Sequence, residues 1–118
     1  MWFEYRQNNS GGSFRFDKKK GISVYVWVEA EDAAAADKRA EDIGLYFNGC
    51  DSGCDCPCCG DRWYGKGGWC QDMGVEELPP FIEVYHEWAR SDRSDGASEA
   101  YAHPLQGKFF AIPTVKRK

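Results

Sequence analysis

"GISVYVWVEAEDAAAADKRAEDIG", residues 21–44, decides the fold. Its first half alternates. Ile22, Val24, Val26 and Val28 fall on one side of an extended chain, and Ser23, Tyr25 and Trp27 on the other. Period two in β-branched and aromatic residues marks a strand, because successive side chains point to opposite faces. Two aromatics on the second side predict that it is partly covered as well. The period then changes. Ala33, Ala36, Ala40 and Ile43 recur every three or four residues, which makes one apolar stripe on a helix. Asp32 stands where a side-chain oxygen can accept from free amides of the first turn, and Gly44 where a helix ends in a left-handed residue. Alanine loses no side-chain entropy in a helix and lets it lie close on a sheet. A strand feeding a close-packed helix predicts an α+β fold: a small antiparallel sheet with one or two helices.

Upstream, "MWFEYRQNNSGGSFRFD" (1–17) reads as a hairpin. Phe3 and Tyr5 alternate with Glu4 and Arg6, Phe14 and Phe16 alternate with Arg15 and Asp17, and turn formers lie between. Downstream, "LPPFIEVYHEWAR" (78–90) fits two periods. Phe81, Ile82, Tyr85, Trp88 and Ala89 suit a helix with a proline start, which its length and the stop "SDRSDG" favour; Ile82, Val84, His86 and Trp88 suit a strand. "EAYAHPLQGKFFAI" (99–112) reads as two short strands around "PLQG", and 113–118 as a flexible basic tail.

The 118 residues fit one domain, 1–118, with a modest core. Five Trp, six Tyr and seven Phe supply most of its apolar area. Net charge is −4, whereas a chain that lives by neutralising phosphates is usually basic overall or over one face. Basic residues gather only at Lys18–Lys20 and at the tail, as a solvated turn and terminus or as a small patch for an acidic partner. The N-terminus lacks the pattern of a secretion signal, and no stretch approaches the ~18 apolar residues of a membrane span. The expected compartment is the cytoplasm, where cysteines stay reduced.

That expectation bears on "CDSGCDCPCCGDRW" (50–63), which holds five of the six cysteines. Residues 48–74 have almost no aliphatic content, so a loop of this length needs a substitute for a core. Zn²⁺ takes four soft ligands in a tetrahedron, often delivered as C-x2–4-C pairs. Cys56 and Cys59 form such a pair around a proline turn, and Cys50 can fold back as a third ligand. Spacing leaves the fourth open among Cys54, Cys58, Cys70 and His86. A redox pair would want a strand before it and a helix after it, and disulfides would want an oxidising compartment. Six thiols would also serve more than one metal. Catalytic zinc keeps an open position and usually takes His or carboxylate ligands, and His86 and His103 lie far away in sequence.

Asp61, Arg62 and Trp63 follow at once, either buttressing the loop or, with Tyr64 and Trp69, forming an exposed recognition patch of the residue types that dominate interfaces. No phosphate-cradling loop, nucleophile elbow or metalloprotease His pair is present. A zinc-held HNH nuclease would need more histidines, and His86 between Glu83 and Glu87 is ordinary for a surface helix.

The segment "FNGCDSGCDCPCCGDRW", with "EYRQNNSGGSF" and "VEAEDAAAADKRAEDIGLYF", resembles a family of small bacteriophage proteins with a D-C-x-C-C-G-D-R-W block, matched by Asp55, Cys56, Cys58, Cys59, Gly60, Asp61, Arg62 and Trp63. The likeness covers roughly residues 2–64. It implies Cys58 as the fourth ligand, giving a zinc site of Cys50, Cys56, Cys58 and Cys59 in a metal-binding loop at 48–74. The likeness carries no activity of its own. With the small size, the aromatic candidates for an exposed patch and the absence of catalytic parts, it leads to the expectation of a non-enzymatic accessory protein, made in the host cell cytoplasm, that acts by protein–protein contact on host machinery or defence. The other reading is a zinc-containing nucleic-acid-binding module using Arg62, Lys18–Lys20 and the tail, with aromatic stacking.

Overall fold

The computed structural model describes residues 1–8, 15–47, 49–53, 62–63, 74–84 and 98–116. In chain order the elements are β1 (Trp2–Arg6), β2 (Tyr25–Glu29), α1 (Ala33–Ile43), α2 (Gly49–Ser52), β3 (Ile82–Val84), β4 (Ala100–His103), β5 (Phe110–Ala111) and β6 (Thr114–Lys116). Four strands form one sheet in the order β1-β2-β4-β5, and β3 pairs with β6 in a second, parallel sheet. The fold is α+β.

The sheet is mixed, not antiparallel as expected. β1 and β2 run antiparallel, β2 and β4 parallel, and β4 and β5 antiparallel. The reason lies in β2, four of whose five residues, Tyr25 to Val28, are buried. A strand covered on both faces belongs at the centre of a sheet, and it can pair in parallel with a strand that returns after a long crossover.

The N-terminal hairpin is also corrected. β1 pairs with β2, setting Phe3 opposite Val28 and Tyr5 opposite Val26. This aligns two large rings with the valine face, where they join the core cluster under α1. Residues 15–16 form no strand, and Phe14 lies outside the described residues. The chain there is held by a side chain instead. Gln7 Nε2 donates to the Arg15 carbonyl at 2.9 Å and to the Ser23 carbonyl at 3.1 Å, while the Arg15 amide donates to Gln7 Oε1 at 2.6 Å. One buried amide thus does the work of a short ladder, satisfying backbone groups that would otherwise lack partners.

The alternation expected over 22–28 holds only from residue 25. Val26 and Val28 share a cluster with Ile22, Ala33, Ala36 and Ala40, whereas Val24 sides with Tyr25 and Trp27. The chain bends at 23–24 before the strand begins, which moves Val24 to the opposite face.

α1 follows its sequence closely. Asp32 is extended and accepts from the Ala35 amide at 2.8 Å, a cap worth about 1 kcal/mol. Gly44 ends the helix at φ 128°, where a side chain would be strained, and the amides of Gly44 and Leu45 both donate to the Ala40 carbonyl. Ala33, Ala36 and Ala40 are its buried stripe. Tyr5 donates its hydroxyl to Asp37 Oδ1 at 2.6 Å, joining β1 to the helix.

Ile82–Val84 form a strand, so the helix expected over 81–90 does not include them; residues 85–90 lie outside the described residues. The tail expected to be flexible supplies the partner, since Thr114–Lys116 pair with β3 in parallel. The β4–β5 pair matches its expectation, with Tyr101 opposite Ala111 and Ala102 opposite Phe110. Among the described residues no helix is long and apolar enough to cross a membrane.

Candidate metal centre

Of the expected ligands, the structure describes Cys50 alone. It sits half-buried on α2, just after Leu45, Tyr46 and Phe47 have returned the chain to the core. Cys56, Cys58 and Cys59 lie outside the described residues, as do the competitors Cys54, Cys70 and His86. Among the described residues, no three of His, Cys, Asp and Glu stand together as a metal site would need. His103 is committed elsewhere: its Nε2 lies 2.8 Å from the Gly21 carbonyl.

The far end of the cysteine segment is anchored too. Trp63 is 2% exposed and belongs to the helix-side core with Phe3, Tyr5 and Leu45. It also lines a cavity of about 210 Å³ together with Ile22, Gly44 and Tyr46. Arg62 is 3% exposed. Its Nη1 donates to Gln7 Oε1 at 2.9 Å, and its carbonyl accepts from the Asn8 amide at 2.8 Å. A buried guanidinium is tolerated only where hydrogen bonds replace water, and Gln7 supplies one.

This corrects one part of the recognition patch. Arg62 and Trp63 lie inside the fold and present no surface to a partner. Tyr64 and Trp69 lie outside the described residues. Sequence reasoning missed Gln7, which touches residues 15, 23 and 62 through one side chain. A glutamine just after an alternating strand carries no signal of such a role, because the residues it joins are remote in the chain.

The anchoring has a chemical consequence. Trp63 lines the same cavity as Gly44 and Tyr46, so the two ends of the cysteine segment meet at one place in the core. The loop between them is closed by packing. A metal bound within a closed loop has less chain entropy to overcome than one that must gather its ligands from an open chain.

The family model described as "Domain of unknown function (DUF7296)" matches residues 1–117, and the chain belongs to that family. No curated protein and no solved structure matches it.

Proposed function

We propose that this member of the DUF7296 family is a phage-encoded, zinc-holding accessory protein that works by contact with a host protein in the host cell cytoplasm. A zinc ion on Cys50, Cys56, Cys58 and Cys59 shapes the loop, and the loop with Tyr64 and Trp69 makes the contact. The protein binds and does not turn over a substrate. The observation that carries this reading is the closed base of the cysteine segment: the core grips it through Leu45 on one side and Trp63 on the other. The thiol spacing and the resemblance to phage proteins add the metal and the setting.

Metal analysis of freshly purified, reduced protein tests the zinc, with one ion per chain expected. Changing Cys56 and Cys59 together to serine should abolish it. A host partner should co-purify with the zinc-loaded chain and be lost on Trp69→Ala and on chelation. Full retention of the partner by the zinc-free chain would overturn the reading.

One observation favours a nucleic-acid-binding module as the second reading. Lys18, Lys19 and Lys20 are exposed together on a tight turn. The Asp17 and Ile22 backbones bond each other across it, and Asp17 Oδ1 accepts from the amides of Lys19 and Lys20 at 3.1 and 3.2 Å. That reading predicts retention on DNA that falls steeply with salt.

A further inference from the structure

We propose that the cleft between α1 and the 104–109 turn binds a small aromatic ring carrying a phosphate, of the nucleoside monophosphate class. None of the residues that line it belongs to the proposed zinc loop, and none is a cysteine. The cleft encloses about 280 Å³ and is lined by Arg39, His103, Pro104, Gly107, Lys108 and Phe109. Its size falls just below the usual range of ligand cavities, which run from about 300 Å³ upward, and so suits a small ligand.

One wall is aromatic and rigid. His103 is 6% exposed, and its Nε2 lies 2.8 Å from the Gly21 carbonyl. A carbonyl only accepts, so Nε2 carries the proton and the neutral ring keeps Nδ1 as an acceptor. Burial, first of all, holds the His103 pKa below its ordinary value, and the Arg39 charge pushes the same way against the Gly21 hydrogen bond. Phe109 lies 5.2 Å from the His103 ring and 5.7 Å from Tyr101, the latter edge to face. Gly21 closes the back of this wall at φ 70°. A Cβ there would fall 2.7 Å from the Phe109 ring and 2.8 Å from His103 Cε1. Phe109 stays half-exposed and so keeps apolar surface for a flat ligand to cover.

The charge lining the cleft is positive. Among the described residues Arg39 and Lys108 line it and no carboxylate does, in a chain of net charge −4. Arg39 is held in place by the carbonyls of Glu29, His103 and Pro104. These bonds fix the position of a guanidinium that can still act on an anion by its charge and its remaining N–H groups. Lys108 is exposed, and its long side chain can reach a bound phosphate. The nearby Glu29 carboxylate is occupied, with Oε1 accepting from the Leu105 amide at 3.0 Å. A ring against Phe109 with its phosphate toward Arg39 and Lys108 satisfies both halves of the cleft.

Calorimetric titration of the purified chain with AMP, adenosine and inorganic phosphate tests this. AMP should bind, with adenosine and phosphate each about tenfold weaker or more. Lys108→Glu should weaken AMP by about tenfold with the melting temperature unchanged, since the side chain is exposed. Phe109→Leu should weaken AMP and adenosine and leave phosphate alone. A 5′-phosphorylated oligonucleotide separates a free nucleotide from the end of a strand: it should not displace AMP from the site. The proposal fails if millimolar AMP gives no heat, if Lys108→Glu leaves AMP affinity intact, or if the oligonucleotide displaces AMP.

Discussion

Val26 and Val28 on one face of β2 share their core with Ala33, Ala36 and Ala40 of α1, the next element in the chain. Tyr25 and Trp27 on the other face share theirs with Ile82, Ala100, Ala102 and Ile112, all from the second half of the chain. The helix side sets small residues against valines, so that a helix and a sheet can approach closely. The far side sets large rings against alanines of a neighbouring strand and against a second small sheet. A local partner needs only the right period in adjoining sequence. A distant partner needs a complementary surface that no short window of sequence displays.

Trp63 offers the strongest way to break that contrast. It is the helix-side residue that arrives from beyond the cysteine segment, and it is 2% exposed. Trp63→Ala should cost about 3–5 kcal/mol, read as a lowered urea midpoint. A cost below about 1 kcal/mol would mean that the helix side is held by local elements alone. If the cysteine segment holds zinc as proposed, the same substitution should loosen it, because Trp63 anchors one end of that segment.

Next in size are Ala36→Leu and Ala102→Leu. Both alanines are fully buried, one on each side of the sheet. Each larger residue should overpack its cluster and cost about 1–3 kcal/mol. If the two faces are independent, the double variant should equal the sum within about 0.5 kcal/mol. A larger departure would show that β2 transmits strain from one face to the other.

The smallest effect is a slope. His103 has its pKa lowered in the folded chain, chiefly by burial. Its contribution is therefore complete above the ordinary value of 6.5 and is lost as pH falls below it, because the unfolded chain takes up the proton first. Glu4 works in the opposite sense. Burial raises its pKa from 4.5, with Arg6 pulling the other way, so its neutral form favours folding as pH falls toward 4.5. Melting temperatures of the native chain and of His103→Gln, compared between pH 7.5 and 5, should converge as pH falls. The Glu4 effect is common to both and cancels, so parallel curves would remove His103 from the balance.

Much of the helix-side half could be read in advance. The cap at Asp32, the alanine stripe and the stop at Gly44 all act within a few residues, and each stands where expected. The β4–β5 pair was legible for the same reason, since one short turn joins its strands. The partner of β1 was not. Phe3 and Tyr5 alternate equally well against the 14–16 segment or against β2, and the choice rests on which pairing buries both rings beside α1. Ile82–Val84 carried two periods at once, and the pairing with Thr114–Lys116 resolved them. The burial of Arg62 depended on Gln7, which lies 55 residues away in the chain.

The residues alone determined that a strand lies within 22–28 and that a helix capped by Asp32 runs on to Gly44. Tertiary structure decided that the sheet is mixed, that the tail becomes a strand, that Arg62 and Trp63 turn inward, and that His103 meets the Lys18–Lys20 turn through Gly21. The division follows range. Caps, periods and tight turns draw their energy from neighbours in sequence, while register and burial depend on surfaces that meet only once the chain has closed.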